Sequence, residues 1–239
     1  MIYRDPDGNE VGFAARRSTR LRHPMTDKTD FKKTADVYQA HRGRFRVLDV
    51  PDMRYLMIDG HGDPNTSPAF TTAVEALYPV AYKLKFASKR HLGRDYVVPP
   101  LEGLWWAEDM AAFTTSRDKS RWSWTLLLMV PDWVDRAMFD AAVTQAGAKN
   151  QPVRLDDIRL ETLSEGRCVQ TLHVGAFDDE TAVLAQLHEE FIPAQGLRMT
   201  GKHHEIYLSD FRRVAPEKQR TILRQPVTAE AAPAPSKPG

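Results

Sequence analysis

Residues 45–62 read FRVLDVPDMRYLMIDGHG and residues 158–175 read IRLETLSEGRCVQTLHVG. Each is a pair of extended runs broken at a turn, Pro51-Asp52 in the first and Ser164-Glu165-Gly166 in the second. Placing Arg54 over Arg167 brings Gly62 over Gly175. Each pair then leads into a helical pattern. In the first, Phe70, Val74, Leu77, Ala81 and Leu84 recur at steps of four and three, with Ser67 as N-cap and Pro68 at the first helical position. Pro79 falls inside this stripe and predicts a kink or break. In the second, Asp178, Asp179 and Glu180 suit the positive end of a helix. Val183, Leu184, Leu187 and Phe191 form its apolar stripe, and Pro193 ends it. Two more strand-like runs follow each helix, LEGLWWAE and RWSWTLLLMV in the first half, HEIYLSD and RTILRQPV in the second. A further helix, from about Trp133 to Ala146 and stopped by Gly147, joins the halves. The pattern predicts an α+β fold of two pseudo-symmetric ββαββ units, about 45–130 and 153–227, whose antiparallel sheets enclose a ligand cleft.

At 239 residues the chain can bury a sizeable core, and 42% hydrophobic with 27% charged residues is ordinary for a globular protein. A net charge of +1 supplies no field for nucleic acid or membrane surfaces, and neither is an expected partner. Cys168, the single cysteine, excludes an internal disulfide framework and fits a reducing cytoplasm. It reads as a small buried residue. Residues 1–35, with the basic block ARRSTRLRHP, read as a flexible extension, and the Ala/Pro-rich stretch 228–239 as a disordered tail.

Familiar motifs fail on inspection. GHGDPN at 60–65 lacks the last glycine of a dinucleotide fingerprint, and HEEFI from His188 has Ile192 where a zinc protease needs its second histidine. His203 and His204 are neighbours on a strand and point to opposite faces, so they cannot chelate one ion together. No metal site and no cofactor are implied.

One constellation survives. In strand geometry HHEIYLS sets Ile206 and Leu208 on one face and Glu205 and Tyr207 on the other. Likewise Glu102, Leu104 and Trp106 share a face opposite Leu101, Gly103 and Trp105. Trp122 and Trp124 lie on the neighbouring strand, and Tyr55 aligns with Met57 and Asp59. If the Glu102 strand of one half answers to the Glu205 strand of the other, two carboxylates face each other across an aromatic cleft. A carboxylate walled by indoles loses hydration, which raises its pKa or demands a cationic partner. Such a pair divides general-base and general-acid duty, or a single ionised glutamate attracts lipophilic cations. The pattern alone leaves open that these glutamates are surface residues paired with Lys or Arg and that the tryptophans are core.

VPPLEGLWW, HVGAFDDE and above all KHHEIYLSDFRRVAPEKQRTILRQPV resemble the GyrI-like small-molecule-binding family, over about Asp36 to Val227. The resemblance implies a domain at 36–227 of two pseudo-symmetric strand-helix units with a groove between them, and places Glu205 where a pocket glutamate is expected. Regulators in this family carry a helix-turn-helix domain, for which the arginine-rich N-terminal stretch leaves no room. The stand-alone branch with this Trp-Trp segment includes hydrolases of cyclopropanoid genotoxins. That implies a hydrophobic polycyclic small molecule as partner and water addition to a strained cyclopropane as the reaction. Glu205 or Glu102 would activate water, while the other glutamate, or Tyr207, supports the developing oxyanion. Trp105, Trp106 and Trp124, with Tyr55, would supply stacking walls. A sensor or sequestering binder of cationic drugs is the alternative, and a topoisomerase-binding protein a third. Phe211 and Val214 depart from the polarity expected of their loop.

Overall fold

The computed structural model describes residues 28–108, 118–150, 152–210 and 212–230. The basic block and Phe211 lie outside them. Among the described residues nine strands form one sheet: β1 (Arg46–Val50), β2 (Met53–His61), β3 (Leu101–Trp106), β4 (Ser123–Val130), β5 (Arg159–Leu163), β6 (Gly166–Val174), β7 (Leu197–Met199), β8 (His203–Tyr207) and β9 (Arg220–Ala229). The order is β1-β6-β9-β8-β3-β4-β2-β5, with β7 added beside β9. Exchanging β1 with β5, β2 with β6, β3 with β8 and β4 with β9 turns this order into its own reverse. The repetition seen in the sequence is therefore a pseudo-two-fold that passes between β3 and β8. The two hairpins exchange arms across it. β1 pairs with β6, and β5 pairs with β2.

Pairing partners share a face, so the registers sort every side chain. Glu205 opposite Gly103 and His203 opposite Trp105 belong to one face, and Trp124 opposite Trp105 joins them. That face carries the helices. After the short α1 (Phe31–Thr34), α2 (Pro68–Ala87) and α3 (Arg136–Asn150) cover the β2–β4 side. On the β6–β9 side, α4 (Thr181–Ala185) continues through a π-helical turn, Gln186–Phe191, into Ile192–Ala194, and buries Leu187 and Ile192 against Val169 and Val227. The other face packs Tyr55, Met57, Leu104, Leu127, Cys168 and Ile206 under Val37 and Tyr38 of the N-terminal segment.

Several local readings need correction. Helix α2 runs unbroken through Pro79, because Ala76, Leu77, Val80 and Ala81 on either side are buried in the core and hold the turn. Ser67 sits at its N-cap without a side-chain capping bond. Helix α3 continues past Gly147 to Asn150. A Cβ at Gly147 would stand 3.1 Å from Leu155 Cδ2, so this glycine permits close packing instead of ending the helix. The described part of the supposed flexible extension is tied down, since Thr29 bridges to Tyr96 and Phe31 packs on the core. Thr228 and Ala229, read as the start of a tail, belong to β9 and pair with β7. Among the described residues, no helix is long and apolar enough to cross a membrane.

Candidate active site

Between the two helical bodies, directly over the pseudo-two-fold, lies a cavity of about 210 Å³. Its floor is the β3–β8 pair, which contributes Trp105, Glu205 and Tyr207. Phe70 closes it from α2, Leu184 and His188 from α4 and the π turn, and Trp122 and Phe177 from the connecting segments. An apolar cavity of about 150 Å³ takes benzene, so this one has room for one or two fused rings. Gly103 helps make that room. A Cβ there would lie 2.7 Å from Trp105 Nε1 and 3.1 Å from the Tyr207 hydroxyl, so any larger residue would break the contact between them.

That contact organises the polar end of the cavity. Trp105 Nε1 donates to the Tyr207 hydroxyl at 3.1 Å, and the Tyr207 hydroxyl donates to Glu205 Oε2 at 2.8 Å. Burial, then the charge of Glu205 and its hydrogen bond, holds the Tyr207 phenol well above its ordinary value. Tyr207 is thus a fixed neutral donor, and Glu205 is oriented as an acceptor with its other oxygen 3.8 Å from His203 Nε2. Burial, followed by neighbouring His188 and His204, pushes His203 down to about 3, and burial pushes His188 down to about 4. Both imidazoles are neutral near pH 7, so the Glu205–His203 approach is not an ion pair. Glu180, 3% exposed, lines the same cavity from the start of the helical body. At the rim Lys119 pairs with Asp178 at 2.9 Å. Among the described residues no cluster of His, Cys, Asp or Glu is arranged to hold a metal ion.

The structure thus brings Glu205, Tyr207 and Trp105 together. It does not bring Glu102 to them. In the β3–β8 register Glu102 stands opposite Ile206, one residue out of step with Glu205, so the two carboxylates lie on opposite faces of the sheet. Glu102 is fully buried in a charged chain of its own. It accepts from the Tyr38 hydroxyl at 2.6 Å, and His204 Nε2 stands 2.9 Å from its other carboxylate oxygen, an ion-pair distance. His204 Nδ1 bonds Glu165 at 2.9 Å, and Glu165 takes the Arg224 guanidinium at 2.9 Å. Arg224 also donates to Gln170 and to the Val37 carbonyl. Burial alone would lower His204, but Glu165 and Glu102 reverse this and raise it to about 9. Tyr55 is buried on this same face. Trp106 points there too, with Lys202 Nζ 3.2 Å from its ring centroid. Trp124 lies on the cavity side but is sealed beneath Phe70, its indole filling the space over Gly60. Glu102, Trp106, Trp124 and Tyr55 therefore do not line the cavity.

Trp122, Glu180 and His188 do, although the sequence singled out none of them as site residues. Glu180 reads as an ordinary helix-start carboxylate. The π turn shifts the helical phase by a residue, which no 3.6-residue pattern can show, and it carries His188 to the cavity wall.

An open antiparallel sheet with helices on one face and an aromatic, acidic cavity at its centre defines a small-molecule-binding protein. The chain belongs to the GyrI-like small molecule binding domain family, whose pattern matches residues 44–227. Among solved structures it is similar to an uncharacterised conserved protein from Listeria innocua, at 41% identity and TM-score 0.77, covering 84% of this chain and 100% of that one. A hydrolase from Listeria innocua matches at 40% identity and TM-score 0.75 over the same shares of the two chains. The C-terminal domain of EcmrR shares the fold at 12% identity and TM-score 0.50, over 78% of this chain and 98% of that one. No curated protein matches the chain.

Proposed function

We propose that this protein is a hydrolase that opens the cyclopropane ring of cyclopropanoid DNA-alkylating toxins by adding water, and so protects the cell that makes it. The observation that carries this reading is a glutamate held by a buried tyrosine at the end of an aromatic cavity sized for fused rings. The similarity to Listeria hydrolases supports the reaction class. In such toxins the cyclopropane is conjugated to a dienone. Glu205 takes a proton from water as the water oxygen bonds to the cyclopropane methylene. The carbon–carbon bond breaks, its electron pair moves through the ring, and the dienone oxygen becomes a phenolate that takes up a proton. Tyr207 orients the carboxylate, and the walls of Trp105, Trp122 and Phe177 hold the rings flat and exclude bulk water.

Incubating purified protein with a cyclopropanoid compound and following hydrated product by mass spectrometry tests this. We expect many turnovers per protein and a loss of about 100-fold or more in Glu205→Gln. Turnover in Glu205→Gln within twofold of wild type would remove the base. The second reading, a binder of lipophilic cations, is favoured by two carboxylates, Glu180 and Glu205, in one aromatic cavity. It would give protection at one equivalent with no new product.

A further inference from the structure

The ring-opening reading needs a donor where charge collects, at the dienone oxygen far from the attacked carbon. The cavity's obvious donors are engaged. The Tyr207 hydroxyl serves Glu205, the Trp105 N–H serves Tyr207, and Lys119 is paired with Asp178. Glu102 sits behind the sheet. His188 differs from all of these. It lines the cavity, and its Nε2 is buried with no hydrogen-bond partner among the described residues. A buried polar atom left unsatisfied is uncommon in a native structure and asks for an explanation. Its ring already forms part of the wall, and rotation about Cβ–Cγ, a soft torsion, sets which edge meets a ligand.

We infer that His188 is a catalytic residue of the proposed reaction, whose Nε2–H donates to the ligand oxygen that becomes the phenolate. The assignment rests on the ring-opening reading for its chemistry and on the unpartnered nitrogen for its place. The imidazole acts in its neutral form, which its burial enforces. A neutral N–H stabilises a developing oxyanion without presenting a full charge to the uncharged dienone beforehand. No bond to His188 forms or breaks; the proton that ends on the phenol comes from solvent or from protonated Glu205. The π-helical segment is the device that sets this side chain over the cavity, and such segments recur at functional sites.

The probes are an indole-fused spirocyclopropyl dienone and its hydrated product, the corresponding phenol. Hydration rates of the dienone are measured for wild type, His188→Leu and His188→Gln, together with phenol affinity by quenching of tryptophan fluorescence. We expect His188→Leu to lower kcat about 100-fold, the scale for losing one oxyanion donor. His188→Gln keeps a neutral N–H donor and should recover at least tenfold of that loss. In the wild type, the ¹⁵N resonance of His188 Nε2 should move on binding the phenol. Dienone turnover that His188→Leu leaves within twofold of wild type overturns the inference while the ring-opening reading stands. A wild type that binds the phenol with a His188 shift but never hydrates the dienone removes the reaction and leaves the contact. A bound phenol that leaves the His188 resonance unmoved overturns the contact directly.

Discussion

Replacing Glu102 by Gln separates the core from the site. The substitution is close to isosteric and keeps an acceptor for the Tyr38 hydroxyl, so its main effect is to remove a negative charge beside His204. Raising that imidazolium from its ordinary 6.5 to about 9 corresponds to about 3 kcal/mol at roughly 1.4 kcal/mol per pH unit. Glu165 is the larger contributor and Glu102 the smaller, so the direct loss is of order 1 kcal/mol. The variant also leaves two buried cations, His204 and Arg224, sharing one carboxylate. Uncompensated charge of that kind brings the cost of breaking a buried pair to about 3–5 kcal/mol, and part of it is relieved when His204 deprotonates. We therefore expect a net loss of about 3 kcal/mol near pH 7. With a urea slope of about 2–3 kcal/mol/M for a domain of this size, the midpoint falls by roughly 1 M, read by tryptophan fluorescence. The folded fraction should keep its ligand affinity and turnover within about threefold. Glu205→Gln should do the reverse, moving the midpoint little and abolishing turnover. An unchanged midpoint in Glu102→Gln, or a fully folded but inactive variant, would refute the placement of Glu102 in a structural charge network.

Stability should peak near pH 6.5. His204, raised to about 9, contributes fully below 6.5 and loses its contribution as pH climbs through 9; His188 and His203, lowered to about 4 and 3, favour folding above 6.5 and oppose it progressively as pH falls toward those values. Denaturant midpoints across pH 3–10 check this, and His203→Asn should flatten the acid limb. Tyr207→Phe removes the hydroxyl between Trp105 and Glu205, and we expect a loss of about 10- to 100-fold in kcat with about 1 kcal/mol in stability. Gly103→Ala should abolish ligand binding in a protein that still folds, because its methyl would displace Trp105 and Tyr207; retained affinity by fluorescence titration would contradict the packing. Cys168 is buried with its thiol pushed up to about 12, so a thiol reagent should react only on denaturation.

The residue pattern was sufficient for the duplicated strands, the helices between them and the faces within each strand. Alternation put Glu205 with Tyr207 and Glu102 with Leu104 and Trp106, and each of those local assignments holds. Those properties are local, because a pleated strand turns successive side chains to opposite sides whatever it pairs with. What pairs with what is not local. A shift of one residue between β3 and β8 decides whether Glu102 faces the ligand or the opposite core, and that register follows from how the whole sheet closes around its pseudo-two-fold. The exchange of β1 and β5 between halves, the sealing of Trp124 under Phe70 and the turn of His188 toward the cavity are tertiary in the same sense. Each depends on contacts between segments far apart in the chain, where burial outweighs the preference of any single residue.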